Sequence, residues 1–125
     1  MSEPTGEMAA RQSLVETVLE ALPEIILIHD HDRILFANAA CRRFLSATSP
    51  QELEGRPIDV IAHPDAFEAG RERRQLLIDG GRSFKAIPLK LIAVDGETKH
   101  MTVDAHPLAF NGTRAAMLIA QARPN

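Results

Sequence analysis

The stretch of residues 25–38 reads IILIHDHDRILFAN, and it decides the fold. Its β-branched first half predicts a strand, and the apolar run that follows the polar pair His31-Asp32 predicts a second one. The pattern therefore predicts a hairpin. Asn38 stands where the N-cap of a short helix over residues 39–45 is expected, because its side-chain oxygen can accept from free backbone N–H groups.

A single helix is predicted upstream of the hairpin, over residues 7–22, and Pro23 ends it. Four aliphatic side chains lie at positions i, i+3, i+4 and i+7 of this helix and form one narrow stripe. Either the helix folds back onto its own sheet or a second copy of the chain covers the stripe, and we predict the second arrangement, a homodimer. The predicted interface consists of Val15, Val18, Leu19 and Leu22.

Helical pieces are predicted downstream of the hairpin. Ser49 and Glu52 have the spacing of a capping box, in which each side chain bonds the other residue's backbone. A longer helix is predicted over residues 63–78, with Asp65 and Glu68 at the same spacing. These pieces separate the hairpin from the last third of the chain.

The last third predicts β structure. Asp95-Gly96 and Asn111-Gly112 are typical of tight hairpin turns. The run of residues 115–120 is apolar at every position, which favours a central strand. Pro88 lacks a backbone donor and predicts an edge strand or a bulge. The three strands are expected over residues 83–94, 98–108 and 114–122.

Strands segregated from helices predict an α+β fold with one antiparallel sheet. The intervening helices are expected on one face of that sheet and the N-terminal helix on the other. We expect a tail and amphipathic helix at residues 1–22, one domain at residues 23–122, and a truncated exit toward a further domain at residues 123–125.

The composition limits the function classes. The chain has 125 residues, enough for one domain, and its formal net charge of −3 offers no basic surface for a nucleic-acid backbone. Its single cysteine, Cys41, excludes an internal disulfide and a cysteine-rich zinc site. Neither a signal peptide nor a membrane-length apolar run is found, so we expect a cytoplasmic protein with no membrane partner.

The order and spacing of these signals resemble those of PAS domains, the sensory modules of bacterial signalling proteins. The resemblance covers about residues 19–121 and implies a five-stranded sheet in the order 2-1-5-4-3. It also implies an N-terminal input domain whose C-terminal effector belongs to a transcriptional regulator or a sensor histidine kinase. The matching segments are residues 22–27, 30–38, 49–56, 63–65 and 95–96.

The resemblance also bears on cofactors. In the flavin-binding group the reactive cysteine follows a Gly-Arg pair, and here Ile58 occupies that place. The haem-binding group carries a histidine on the long helix, and residues 66–78 contain none. We therefore expect neither flavin nor haem, and we assign Cys41 to the apolar core. His29 and His31 flank a turn without further ligands, so no metal is expected.

An apolar pocket between the sheet and the long helix is the predicted functional site. Because the chain lacks Trp and Tyr, a small cavity is plausible, and its ligand would be small and apolar. A fully packed core in a ligand-free interaction module is the alternative. The predicted lining is Ile26, Ile28, Phe36, Phe44, Ile58, Ile61, Phe67, Leu77, Leu91, Met101, Val103, Met117 and Ile119.

Two polar groups give weaker indications. Asp104 and His106 share one face of a strand and could form an acid–base pair, so a small enzyme is a second alternative, although a surface pair is the simpler interpretation. Arg71, Arg73 and Arg74 predict a solvated face of the long helix. We therefore predict a non-catalytic sensory domain.

Overall fold

The computed structural model describes residues 6–120, without the side chains of residues 7–9 and 12. Its helices are α1 (Gly6–Ala21), α2 (Ala39–Phe44) and α3 (Phe67–Arg74), and α3 continues as a π-helical turn at Gln75–Asp79. Three 3-10 turns lie between α2 and α3, at Pro50–Glu52, Ile58–Val60 and Pro64–Ala66. The strands are β1 (Ile25–His29), β2 (Ile34–Ala37), β3 (Phe84–Ile92), β4 (Thr98–Phe110) and β5 (Thr113–Ala120).

The five strands form one antiparallel sheet in the order β2-β1-β5-β4-β3, which confirms the predicted fold class. The strand with apolar residues on both faces, β5, is central as expected. Pro88 lies on the edge strand β3, next to a bulge at which Ala86 has a φ of +55°. Asp104 Oδ1 accepts the Ala86 N–H at 2.9 Å and holds this bulge.

Asn38 joins four segments of the chain. Its side-chain oxygen accepts from the N–H of Cys41 at 2.9 Å, as the predicted N-cap, and from the N–H of Ile26 at 3.0 Å. Its amide donates to the carbonyl oxygens of Leu19 and Glu24 at 2.9 and 2.8 Å. One fully buried polar side chain thereby fixes α1 and α2 against β1.

The sheet carries an apolar cluster on each face. The inner cluster packs β1, β3, β4 and β5 against α2 and the helical segments that follow it. The outer cluster is smaller, and Leu19 at the end of α1 and Leu22 directly after the helix pack against it. Its buried members are Ile26, Ile28, Phe36, Phe110 and Ala115.

The predicted long helix is more irregular than expected. Residues 63–78 form a 3-10 turn, a short α-helix and a π-helical turn. The N-cap of the first turn is His63, whose ring nitrogen accepts from the Asp65 N–H at 3.1 Å, so the prediction that Asp65 caps this helix is wrong. The Ser49–Glu52 capping box is confirmed.

The bounds of the other elements differ from the predicted ones by a few residues. The expected tail at residues 1–5, the last two residues of the predicted fifth strand and the exit at residues 123–125 lie outside the described residues. Within residues 6–120, no helix is long and apolar enough to cross a membrane.

Candidate functional site

A cavity of about 90 Å³ lies inside the domain, between the inner face of the sheet and the helical segments. Its floor is formed by β1, β3, β4 and β5, and its roof by α2, α3 and the turns between them. The wall is mostly aliphatic and aromatic. It includes Ile25, Leu27, Phe44, Ile58, Ile61, Phe67, Leu77, Ile87, Leu89, Leu91, Met101, Val103 and Leu118.

Most of the residues predicted for the pocket border this cavity. They come from α2, the 3-10 turns, α3, the π-helical turn and the inward-facing positions of β3 and β4. In β4 the predicted residues Met101 and Val103 are two positions apart, so the alternation of side chains along the strand puts both on the inner face. These residues are Phe44, Ile58, Ile61, Phe67, Leu77, Leu91, Met101 and Val103.

The prediction is wrong for the pocket residues assigned to β1, β2 and β5, all of which belong to the opposite face of the sheet. Successive side chains of a strand point to opposite faces, so a one-residue error in phase exchanges the whole set. In β1 and β5 both faces are apolar, and hydrophobicity therefore does not define the phase. The misplaced residues, all in the outer cluster, are Ile26, Ile28, Phe36, Met117 and Ile119.

His29 lines the cavity and was missing from the prediction. It is only 3% exposed, and its Nδ1 lies 2.8 Å from the Asp30 carbonyl oxygen. Because a carbonyl can only accept, Nδ1 carries the hydrogen and Nε2 is the acceptor of the neutral ring. Burial lowers the pKa of His29. The period-2 continuation of Ile25 and Leu27 would have placed His29 on the inner face once the phase of β1 was known.

Arg73 and Arg74 also line the cavity, which corrects their assignment to a solvated helix face. Arg71 is exposed as predicted. Burial lowers the pKa of Arg73. Arg74 folds back along α3, so that its Nη1 lies 3.8 Å from where a Cβ at Gly70 would stand. Arg74 lies seven residues after Phe67 and three before Leu77, so helical spacing agrees with its place at the cavity, whereas the charge of the two arginines favours solvent.

Contacts between the turns and the edge strand close one side of the cavity. The Lys90 ammonium lies 3.1 Å from an Asp65 carboxylate oxygen, and Lys90 borders the cavity. The pKa of Asp65 is lowered, chiefly by its hydrogen bond to Lys90. The Ile92 N–H donates to the Ile61 carbonyl at 2.8 Å and ties the turn before Pro64 to β3.

Cys41 is 1% exposed and lies against the cavity, in the core position predicted for it. Burial raises the pKa of its thiol to about 12, so the thiol is protonated at neutral pH and unreactive. The described residues contain no group of three His, Cys, Asp or Glu side chains that could hold a metal ion. The two histidines of the hairpin have separate partners, because His31 Nε2 lies 2.8 Å from Asp79 Oδ1.

Asp104 and His106 lie on the outer face, away from the cavity. Asp104 is occupied by the backbone of the β3 bulge, and between residues 6 and 120 no hydrogen bond joins it to His106. The structure thus gives Asp104 a role in shaping the sheet edge.

The stripe of α1 divides into two parts. Leu19 and Leu22 pack against the outer cluster of their own chain. Val15 and Val18 are 44% and 51% exposed, and the neighbouring Leu14 is 63% exposed. The predicted dimer interface is therefore corrected at Leu19 and Leu22, which the chain partly covers itself. The remaining aliphatic side chains form an open surface on α1.

The sequence matches one family model, and several solved structures share the fold. A family model described as PAS fold matches residues 19–122. The PAS domain of nitrogen regulation protein NR(II) from Vibrio parahaemolyticus superposes with a TM-score of 0.67 at 17% identity, over 88% of this chain and 98% of that one. A domain of a sensor histidine kinase/response regulator from Geobacter sulfurreducens gives 0.67 at 18% identity, over 94% and 99%.

A third similar structure is the PAS domain, in complex with ethanol, of a LuxR-family transcriptional regulator from Burkholderia thailandensis. Its TM-score is 0.65 at 18% identity, over 83% of this chain and 93% of that one. No curated protein matches the sequence. Because the family model covers most of the chain and the strand order agrees with it, the chain belongs to the PAS-fold family.

Proposed function

We propose that this chain is the sensory module of a larger signalling protein and that it takes up a small molecule in the inner cavity. The observation that carries the proposal is the cavity itself, about 90 Å³ of space between the sheet and α3. Protein interiors are otherwise packed to the density of organic crystals, and a concave, mostly apolar space of this kind is typical of small-molecule sites. A PAS domain similar to this chain was solved in complex with ethanol, a molecule of that size class.

The second part of the proposal is a homodimer formed through α1. Leu14, Val15 and Val18 lie on one side of the helix and are 44–63% exposed. Spacings of three and four residues between aliphatic side chains are typical of the seam of a two-stranded coiled coil. Asn38 and the Glu20–Arg42 ion pair fix the end of α1 to the domain. A structural change in the sheet can therefore be transmitted to the two α1 helices of the dimer.

The effector, the location and the source complete the proposal. The similar structures include domains of sensor histidine kinases and of a LuxR-family regulator, and we propose an effector of one of these two kinds. We further propose a bacterial, cytoplasmic protein whose PAS domain contacts neither nucleic acid nor membrane and carries no haem or flavin. The formal net charge of −3 supports the absence of a nucleic-acid contact.

Native mass spectrometry of the purified chain tests the sensing function. A protein mass increased by that of a small organic molecule supports it. A bare dimer that also shows no shifts of inner-face amide resonances with any added small molecule contradicts it and leaves a ligand-free interaction module. The absorbance spectrum of the same sample should show no visible band.

Sedimentation velocity tests the dimer. Val18→Glu puts a charge into the seam and should shift the protein toward monomer while the circular dichroism spectrum is unchanged. Thr17→Glu is the matched control, because it adds the same charge at an exposed position outside the stripe. A monomeric wild-type chain at micromolar concentration contradicts the dimer.

A further inference from the structure

The cavity combines an aliphatic wall with positive charge that no acid compensates. Arg73 and Arg74 both border it and are half-buried. In the described part of the chain neither guanidinium has an ion pair or a hydrogen bond to a carboxylate. Lys90, the third cation at the cavity, differs because Asp65 neutralises it at 3.1 Å. A partly desolvated cation without a counter-charge is costly, and the cost falls when an anion binds beside it.

A side-chain nitrogen of a buried residue at the same cavity also lacks a hydrogen bond. His29 is 3% exposed, and only its Nδ1 is occupied, by the Asp30 carbonyl. Among the described residues, every side-chain nitrogen or oxygen that is fully shielded from solvent has a hydrogen-bond partner. Nε2 of His29 has no partner, so it keeps some accessible surface. His29 is one of the residues that line the cavity.

We propose that the cavity binds a small monocarboxylate, with its carboxylate held by Arg73 and Arg74 and its aliphatic body against the apolar wall. Guanidinium groups match carboxylates in geometry and charge. The cavity volume is about 90 Å³, below the roughly 150 Å³ of an engineered cavity that binds benzene, which limits the body to a few carbon atoms. The inference rests on the proposed sensing function and adds the chemical class of the ligand.

The protonation of His29 should respond to the same bound carboxylate. A neutral ring presents a lone pair at Nε2, which repels a carboxylate, whereas the protonated ring donates to it. The charged and titratable groups acting on His29 are Arg74 on α3, with Asp30 and His31 on its own hairpin. A bound carboxylate therefore raises the pKa of His29, and the ring takes up a proton from solvent when the pH lies below the raised value.

Titration with sodium butyrate, 1-butanol and inorganic phosphate, followed by calorimetry and by amide and imidazole resonances, tests the proposal. These three probes are an anion with an aliphatic body, the same body without the charge, and a charge without the body. We expect butyrate to bind at least tenfold more tightly than either of the others and to raise the pKa at which the His29 ring titrates.

Arg73→Met and Arg74→Met should each weaken butyrate binding at least tenfold and leave 1-butanol binding within twofold. Arg71→Met is the matched control, since it removes the same charge from an exposed position of the same helix. Unchanged butanol binding shows that the variants keep the cavity.

The outcomes separate the two proposals. If neither butyrate nor butanol binds, the monocarboxylate is overturned, and the native mass spectrum alone then decides whether the cavity holds another small molecule. If butanol binds as tightly as butyrate, or the Arg73 and Arg74 variants behave like the Arg71 variant, the carboxylate is overturned while the ligand site stands. If phosphate binds as tightly as butyrate, the aliphatic body is overturned.

Discussion

The inner face of the sheet encloses a cavity of about 90 Å³, whereas on the outer face aromatic rings and the end of α1 cover the strands. Phe36 and Phe110 meet there with their ring centroids 6.2 Å apart. Ile26 and Ile28, on the same face, are 1% and 0% exposed. In the central strands β1 and β5 both faces are apolar, so hydrophobicity does not separate the two faces there. The faces differ in how completely the covering elements fill the space, and the cavity on the inner face is bordered by the polar groups His29, Arg73 and Arg74.

Large-to-small substitutions should show the largest difference between the faces in the free energy of unfolding. Ile28→Ala removes a fully buried side chain from the filled face and should lower the free energy of unfolding by about 2–5 kcal/mol. Leu89→Ala removes a half-buried side chain that already borders the cavity, and its cost should be about 1–2 kcal/mol. Urea denaturation of both variants measures the difference. Equal losses would show that the inner face is as tightly packed as the outer one.

Small-to-large substitutions should show a smaller difference in stability between the faces. Its cause is different, because added atoms strain the filled outer face but find space beside the cavity. Ala115→Leu forces three carbon atoms into the outer cluster, where Ala115 is 1% exposed, and should cost about 1–3 kcal/mol through strain. Ala66→Leu adds the same atoms beside the cavity and should change stability by less than about 1 kcal/mol. The second variant should also lose butyrate binding, which calorimetry would show. A stable Ala66→Leu protein that still binds butyrate would place the ligand elsewhere.

The contrast between the faces also explains what the sequence predicts and what it does not. Turns and caps are local, so Asn38, the Ser49–Glu52 box and the Asp95-Gly96 turn could be identified from the residues. The inward set of β4 could be assigned because polar residues alternate with apolar ones along it. In β1 every residue is buried, and the pattern carries no phase. Ile26 and Ile28 were consequently placed on the inner face and His29 was overlooked.

The charged part of the site depends on tertiary structure. Three arginines in a row of four residues predict a solvated helix face, since a regular amphipathic helix exposes such a run. The helix passes into a π-helical turn directly after Arg74, and both Arg73 and Arg74 border the cavity. The local sequence carries no marker for this π-helical turn, in which Leu77 and Ile78 are buried.

The pH dependence of stability should be a property of the inner face. Burial lowers the pKa of His29 below the value of about 6.5 that the unfolded chain has. Between the two values the unfolded chain binds more protons, so His29 contributes its full stability above about pH 6.5 and loses it as the pH falls through the lower value. Urea titrations at several pH values should show this decline, and His29→Gln should reduce it. Identical pH profiles for the two proteins would contradict a neutral, buried His29.

The smallest effect is expected at the junction between the faces, where α1 meets α2. Glu20 and Arg42 form an ion pair in which the side chains are 43% and 17% exposed. Glu20→Gln should lower the free energy of unfolding by only about 0.5–1 kcal/mol, because the pair is partly solvated and Arg42 still donates to the Ala37 carbonyl at 2.7 Å.

The pH dependence of this small loss identifies its origin. The pKa of Glu20 is lowered, chiefly by its hydrogen bond to Arg42, so the pair stabilises the fold above about pH 4.5 and is lost as the pH falls through the lowered value. The stability difference between wild type and Glu20→Gln should therefore vanish in acid. Hydrogen exchange should increase in α1 and stay unchanged in β1 and β5, because Asn38 still holds Leu19. A loss above about 2 kcal/mol, or faster exchange in the outer cluster, would mean that α1 supports that face through this ion pair and not mainly through Leu19 and Leu22.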